Sequence, residues 1–269
     1  MYRIGWFSTG RGEGSRALLT TIQQSISKGH LGAAIDFVFC NRERGQTDET
    51  DLFLKLVESH GIPLVCLSSK KFKAQRGADA VPDWRIAYDR QVLEKLEGFQ
   101  PDVCVLAGYM LIVGEEMCRH YDMINLHPAA PGGPTGTWRE VIWKLIESEA
   151  SETGAMMHLV TPELDEGPPI TYCTFSIRGE PFDRLWEGKR GLSVDDLMAR
   201  QGDDNALFKL IRKEGLGREL PLIEATLKTF SAGKIRIQNG KVVDSAGQPI
   251  EACSLTQEID DLLRGKAPG

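Results

Sequence analysis

Short apolar runs rich in β-branched residues alternate along this chain with longer segments of helical period, and that alternation constrains the fold more than any other feature. It is the signature of βαβ units and a mainly parallel sheet. Runs such as DVCVLAG (102–108) and DFVFC (36–40) are almost continuously apolar, as strands covered on both faces must be. The pattern predicts strands at Tyr2–Ser8, Ile35–Cys40, Pro63–Leu67, Val103–Ala107 and Met123–Leu126, and helices at Ser15–Lys28, Thr50–His60, Trp84–Glu97 and Glu115–His120. Farther on, TWREVIWKLIESEA (137–150) sets a Thr at a cap position before apolar residues at helical spacing, and the strand-like AMMHLV and ITYCTFSI follow. The pattern weakens over about 178–205, which reads as an irregular, partly helical excursion. A helix over about Leu207–Phe230 precedes alternating runs around Asn239-Gly240, a strong hairpin signal. The expected architecture is α/β: a mostly parallel, twisted sheet with helices on both faces over 1–230, then a C-terminal hairpin and tail over 231–269. In such sheets ligands bind beyond the carboxyl ends of the strands.

Composition narrows the function classes. Of 269 residues, 41% are apolar and 26% charged, enough for a sizeable core. The longest apolar stretch, Val103–Val113, is about half of the roughly 20 residues that cross a bilayer, and Met1 opens straight into a strand pattern. Neither a membrane span nor a signal peptide is expected. The net charge is −6 and no basic block is interleaved with aromatics, so small-molecule substrates are expected and no nucleic acid. Six cysteines are scattered without a C-x-x-C pair, and Cys40, Cys66 and Cys104 sit in apolar runs. They read as reduced thiols of a cytoplasmic protein.

Two places carry chemistry. The first strand runs into STGRGEGSR (8–16) and then a helix, so backbone N–H groups and a helix N-terminus converge beyond a strand end. That loop is compatible with phosphate binding, with a dinucleotide or with plain turn geometry. No G-K-[ST] follows it, and the second strand ends Cys40-Asn41-Arg42 without the acid a dinucleotide site uses. The strand MINL leads into Asn125 and His127, which strand alternation puts on one side. An amide donor beside an imidazole suits a reaction that builds an oxyanion and moves a proton. A lone His is more often structural, but Asp165 lies in the Gly/Pro loop of HLVTPELDEGPPI (158–170), and an Asp beside a His fixes its tautomer.

The strand, the G-x-G-S loop, VLAGYM, INLHPA and HLVTPELDEGPPI, in that order, resemble the folate-dependent formyltransferases, most closely the phosphoribosylglycinamide branch. The resemblance covers most of residues 1–177 and implies a Rossmann-like formyltransferase fold with 10-formyltetrahydrofolate as co-substrate and no metal. It implies Asn125, His127 and Asp165 as catalytic residues. Gly12, Gly14, Ser15 and Arg85 would hold the acceptor's phosphate. The folate would lie along Gly108, Tyr109, Met110, Leu111 and Ile112 and against Thr161, Leu164 and Gly167. The implied reaction is direct transfer to an amine, most closely that of 5′-phosphoribosylglycinamide. The chain departs from the family pattern in a longer phosphate loop, in Arg16 for an Asn, in Leu111 for an Arg, in AAPGGPTGTW after His127 and in a longer 179–205 stretch. These departures bear on the acceptor more than on the formyl chemistry.

Rival readings keep parts of this set. A 10-formyltetrahydrofolate deformylase would retain Asn125, His127 and Asp165 but has no use for a phosphate loop or Arg85. Transfer to another amine, such as an amino sugar, would keep the chemistry and change the acceptor. A non-enzymatic nucleotide-binding domain would need none of the three. His120, His127 and His158 lack metal-ligand spacing, and His158, between Met157 and Leu159 on a strand, reads as structural. Trp138 and Trp143 read as packing residues. Ser8 or Ser15 with His127 and Asp165 could imitate a hydrolase triad, but no G-x-S-x-G elbow exists.

Overall fold

The computed structural model describes residues 1–75 and 84–265. In chain order the elements are β1 (Tyr2–Ser8), α1 (Glu13–Ser27), β2 (Ala33–Cys40), α2 (Asp48–Ser59), β3 (Leu64–Cys66), α3 (Ser69–Gln75), α4 (Trp84–Lys95), β4 (Val103–Leu106), α5 (Glu115–His120) and β5 (Met123–His127). After them come α6 (Trp138–Glu147), β6 (Glu152–Leu159), β7 (Pro169–Ser176), α7 (Phe182–Glu187), α8 (Val194–Arg200), a 3-10 turn (Gly202–Asp204) and α9 (Ala206–Ser231). β8 (Ile235–Gln238), β9 (Lys241–Asp244), β10 (Cys253–Ser254) and α10 (Thr256–Gly265) are the last elements among the described residues. Every expected element is present, with ends shifted by up to three residues. The short α3, β10 and α10 were not anticipated: α3 and α10 each bury one side chain, Phe72 and Ile259, and β10 is only two residues long, too little for a periodic signal.

The chain forms two compact units, Met1–Leu126 with His158–Pro168 and Glu224–Ile250, and His127–Met157 with Pro169–Ile223 and Glu251–Gly269. In the first, β1 to β5 run parallel in the order β3-β2-β1-β4-β5, as crossover helices between them require. Ser8 pairs with Cys40, Cys40 with Cys66, Phe7 with Leu106 and Leu106 with Asn125, so all five carboxyl ends meet at one edge. Phe7, Phe37 and Phe39 form an aromatic cluster on one face, with ring centroids 5.4 to 5.7 Å from Phe7, and pack with Phe72, Tyr88, Val92 and Met117 from α3, α4 and α5. The alternate residues Ile4, Trp6 and Val38 are also fully buried, as expected of strands covered on both sides. Burying such side chains stabilises the fold by about 1.5 to 3 kcal/mol each. The antiparallel β8–β9 hairpin turns on Asn239 and Gly240, both with positive φ as a type I′ turn demands.

The second unit contains β6, β7 and β10 in that order, β10 parallel to β7. Its core joins Ala129, Val141, Ile146, Phe175, Trp186 and Phe208, and Trp143 stacks 4.9 Å from Phe208 with Trp138 beside it. The excursion at 178–205 is irregular and partly helical, as expected, and pins Phe182, Trp186 and Leu197 into this core. None of the six cysteines is bonded to another, and burial pushes the Cys40 thiol up to about 12. Among the described residues no helix is long and apolar enough to cross a membrane.

Helix α6 opens on a reciprocal capping box between Thr137 and Glu140. Thr137→Ala should lower stability by about 1 kcal/mol in urea denaturation, and an unchanged midpoint would remove that role.

Candidate active site

The aligned carboxyl ends of β1, β4 and β5 gather most of the residues singled out by sequence. Gly12 stands at the N-cap of α1 and offers no side chain to the N–H groups of the first turn. Ser15, buried in that turn, has its Oγ 3.2 Å from where a β-carbon of residue 108 would stand, and Gly108 has φ +71°, so only glycine fits there. Thr9 ties the two segments together twice: its N–H donates to the Gly108 carbonyl at 3.0 Å and its Oγ1 accepts the Met110 N–H at 2.8 Å. Helix α2 braces the same loop, since Thr50 Oγ1 donates to the Gly10 carbonyl at 3.1 Å and Glu49 pairs with Arg16. Arg85 stands exposed on α4, a different element from the one that holds Gly12, Gly14 and Ser15.

Of the positions assigned to the folate, Met110 and Leu164 are exposed apolar side chains, 38% and 50% accessible, while Leu111, Ile112 and Thr161 are partly buried. Tyr109 differs from the rest: it is buried with its ring 5.7 Å from Phe7, so its side chain belongs to the core. Thr161 Oγ1 donates to the Glu163 carbonyl at 3.2 Å inside the loop that carries Asp165.

That loop returns Asp165 to β5. His158 Nδ1 lies 3.0 Å from the Leu159 carbonyl, which can only accept, so Nδ1 carries a proton. In the neutral ring Nε2 is then the acceptor, and the Asn125 Nδ2–H donates to it at 2.9 Å. The same amide lies 3.5 Å from Asp165 Oδ1, and His158 Nε2 is 3.8 Å from that oxygen. Asn125, His158 and Asp165 thus form one cluster with the two charged-type side chains almost fully buried. Asp165 sits at φ +57°, an uncommon conformation outside glycine, imposed by the tight return of the loop. His158 is buried and hydrogen-bonded, as a structural histidine should be, but its ring also fixes the Asn125 amide. The signal available for that role was its place seven residues before Asp165 on the strand leading into the loop.

His127, the last residue of β5, belongs to the second unit and is buried at 2% exposure. Its Nε2 donates to the Pro134 carbonyl at 2.9 Å, within the Pro/Gly segment that follows it. Nε2 therefore carries a proton. Among the described residues no three His, Cys, Asp or Glu side chains cluster as a metal site would require.

Comparison with known proteins gives a consistent result. Residues 4–180 match the model of the formyl transferase family. The phosphoribosylglycinamide formyltransferase of Escherichia coli is 33% identical over 134 residues, 48% of this chain and 56% of that protein, so the match spans little more than half of the bacterial enzyme. The enzyme of the same description from Schizosaccharomyces pombe is 30% identical over 171 residues, 60% of this chain and 76% of that protein. The structure of a Coxiella burnetii phosphoribosylglycinamide formyltransferase superposes with a TM-score of 0.67 at 22% identity, covering 94% of this chain and 99% of that one, a likeness of fold.

The loop that carries Asp165 passes so close to β6 that a β-carbon on Gly167 would lie 1.7 Å from the Leu159 carbonyl oxygen. Gly167→Ala should therefore cost about 2 kcal/mol or more in chemical denaturation and shift the nitrogen resonance of His158 Nε2. A variant with wild-type stability and an unmoved resonance would show that the loop tolerates displacement.

Proposed function

This chain belongs to the formyl transferase family, and from that premise we propose that it moves the formyl group of 10-formyltetrahydrofolate to the amine of 5′-phosphoribosylglycinamide, a step of purine biosynthesis, in the cytoplasm. The observation that carries the reading is the oriented Asn125 amide, held by His158 and Asp165 at the same strand edge as the glycine loop. The acceptor amine attacks the formyl carbon on N10, and the carbonyl oxygen becomes an oxyanion. The resemblance gives Asn125 Nδ2–H and the protonated ring of His127 as the donors for that oxygen, His127 through Nδ1 because its Nε2–H is held by the Pro134 carbonyl. Asp165, through a water, takes the proton that the amine loses and delivers it to N10, so that the C–N10 bond breaks and tetrahydrofolate leaves. No metal takes part in this scheme. The uncapped N-terminus of α1 and the Ser15 hydroxyl receive the acceptor's phosphate, with Arg85 as a further cation. Met110, Leu111, Ile112 and Leu164 supply the apolar contacts of the folate.

Asn125→Ala and Asp165→Asn should each lower kcat about a hundredfold or more, with smaller changes in folate KM. Near-wild-type turnover in either would remove the mechanism. Arg85→Ala should raise the acceptor KM and spare the folate KM.

An amine acceptor must be held against the formyl carbon, and such positioning outweighs a diffusing water. Tetrahydrofolate release should therefore depend on added amine, and an acceptor lacking the phosphate should be at least about tenfold poorer, the cost of one charge-assisted contact. Rapid release with free formate and no amine would make the protein a deformylase. Strong preference for another amine, read by mass spectrometry of the formylated product, would keep the chemistry and change the acceptor.

A further inference from the structure

The 108–114 segment is held at both ends. Thr9 anchors its start, as described, and its end is met by an acid that the proposed mechanism does not use. Asp89, on α4, is only 3% exposed, and its Oδ2 accepts the Gly114 N–H at 2.7 Å. The approach is close enough that a β-carbon on residue 114 would stand 2.7 Å from that oxygen and would push the carboxylate aside. Gly114 is also the N-cap of α5, so the contact fixes where the segment stops and the helix starts. A buried carboxylate is costly unless it is hydrogen-bonded, and a chain retains one where its geometry is needed.

We propose that Asp89 is a positioning residue for the folate, which clamps the Gly114 end of the 108–114 segment through its carboxylate. The inference rests on the reading of that segment as the folate wall. Burial raises the Asp89 carboxyl to about 6, against the Gly114 hydrogen bond, which lowers it; Glu116 on α5 raises it and Arg85 on its own helix lowers it. Among the described residues Cys118 on α5 and the Tyr88 and Tyr109 hydroxyls also interact with it, and burial raises all three still further above neutral pH. The ionised form is the better acceptor for Gly114. The folded carboxyl lies above its unfolded value of 3.8. Its contribution to global stability is therefore full below about pH 4 and is lost as the pH rises through 6, while the clamp itself strengthens over that same rise. Stability and folate affinity should thus respond to this group in opposite directions.

The test measures tetrahydrofolate binding by the whole protein from pH 5.5 to 7.5, with amide exchange of the 108–114 segment followed in parallel. In the wild type the dissociation constant should rise severalfold as the pH falls through about 6. Asp89→Asn keeps an acceptor oxygen and cannot titrate; its affinity should be independent of pH and equal to that of the wild type at pH 5.5. Asp89→Ala should weaken tetrahydrofolate about tenfold and speed exchange at Gly114. A pH dependence in Asp89→Asn equal to the wild type's would overturn the proposal even if Asp89→Ala fails to fold. So would unaltered exchange and affinity in a folded Asp89→Ala. Wild-type protein that shows a protected Gly114 amide but no tetrahydrofolate binding would instead sink the folate reading, and with it the purpose assigned to the clamp.

Discussion

Parallel strands must be buried on both faces, because each returns through a helix laid across the sheet. In this chain the requirement is met by Phe7, Phe37 and Phe39 on one side and Ile4, Trp6 and Val38 on the other, all fully buried. The sheet faces are therefore closed to polar chemistry. What remains open is the edge where Ser8, Cys40, Leu106 and Asn125 end, and there the chain places hydroxyls, an amide, imidazoles and carboxylates. The position of the site follows from the burial of the sheet.

At that edge the polar groups are ordered by bonds that leave little choice. The Leu159 carbonyl decides which His158 nitrogen is protonated, His158 then decides which way the Asn125 amide points, and the left-handed Asp165 closes the set from its loop. The Pro134 carbonyl does the same for His127. Each imidazole is thus oriented by a main-chain oxygen, and the Asn125 amide by His158 in turn.

The strands, the long helices, the Asn239-Gly240 hairpin and the grouping of Asn125 with Asp165 were legible because each leaves a local mark: a continuous apolar run, a 3.6-residue period, a dipeptide that accepts positive φ, or a residue at a strand end. Residues whose roles depend on contacts distant in sequence left no such mark. His158 is a strand residue among apolar neighbours, and nothing near it announces the amide of Asn125, 33 positions earlier. Asp89 looks like any acid on a charged helix until Gly114 is seen against it. Tyr109 was legible as part of VLAGYM but not as a core residue, since a tyrosine beside two glycine-rich loops reads equally well facing in or out.

The double tie made by Thr9 also limits what the 108–114 segment can offer a ligand. Thr9 occupies one lone pair of the Gly108 carbonyl and takes the N–H of Met110, and Asp89 takes the N–H of Gly114. Any ligand lying along this segment would find its main-chain donors limited to those between the anchors. Such a ligand would be screened by subtraction, by which backbone N–H groups the fold has already spoken for, before any side chain is consulted.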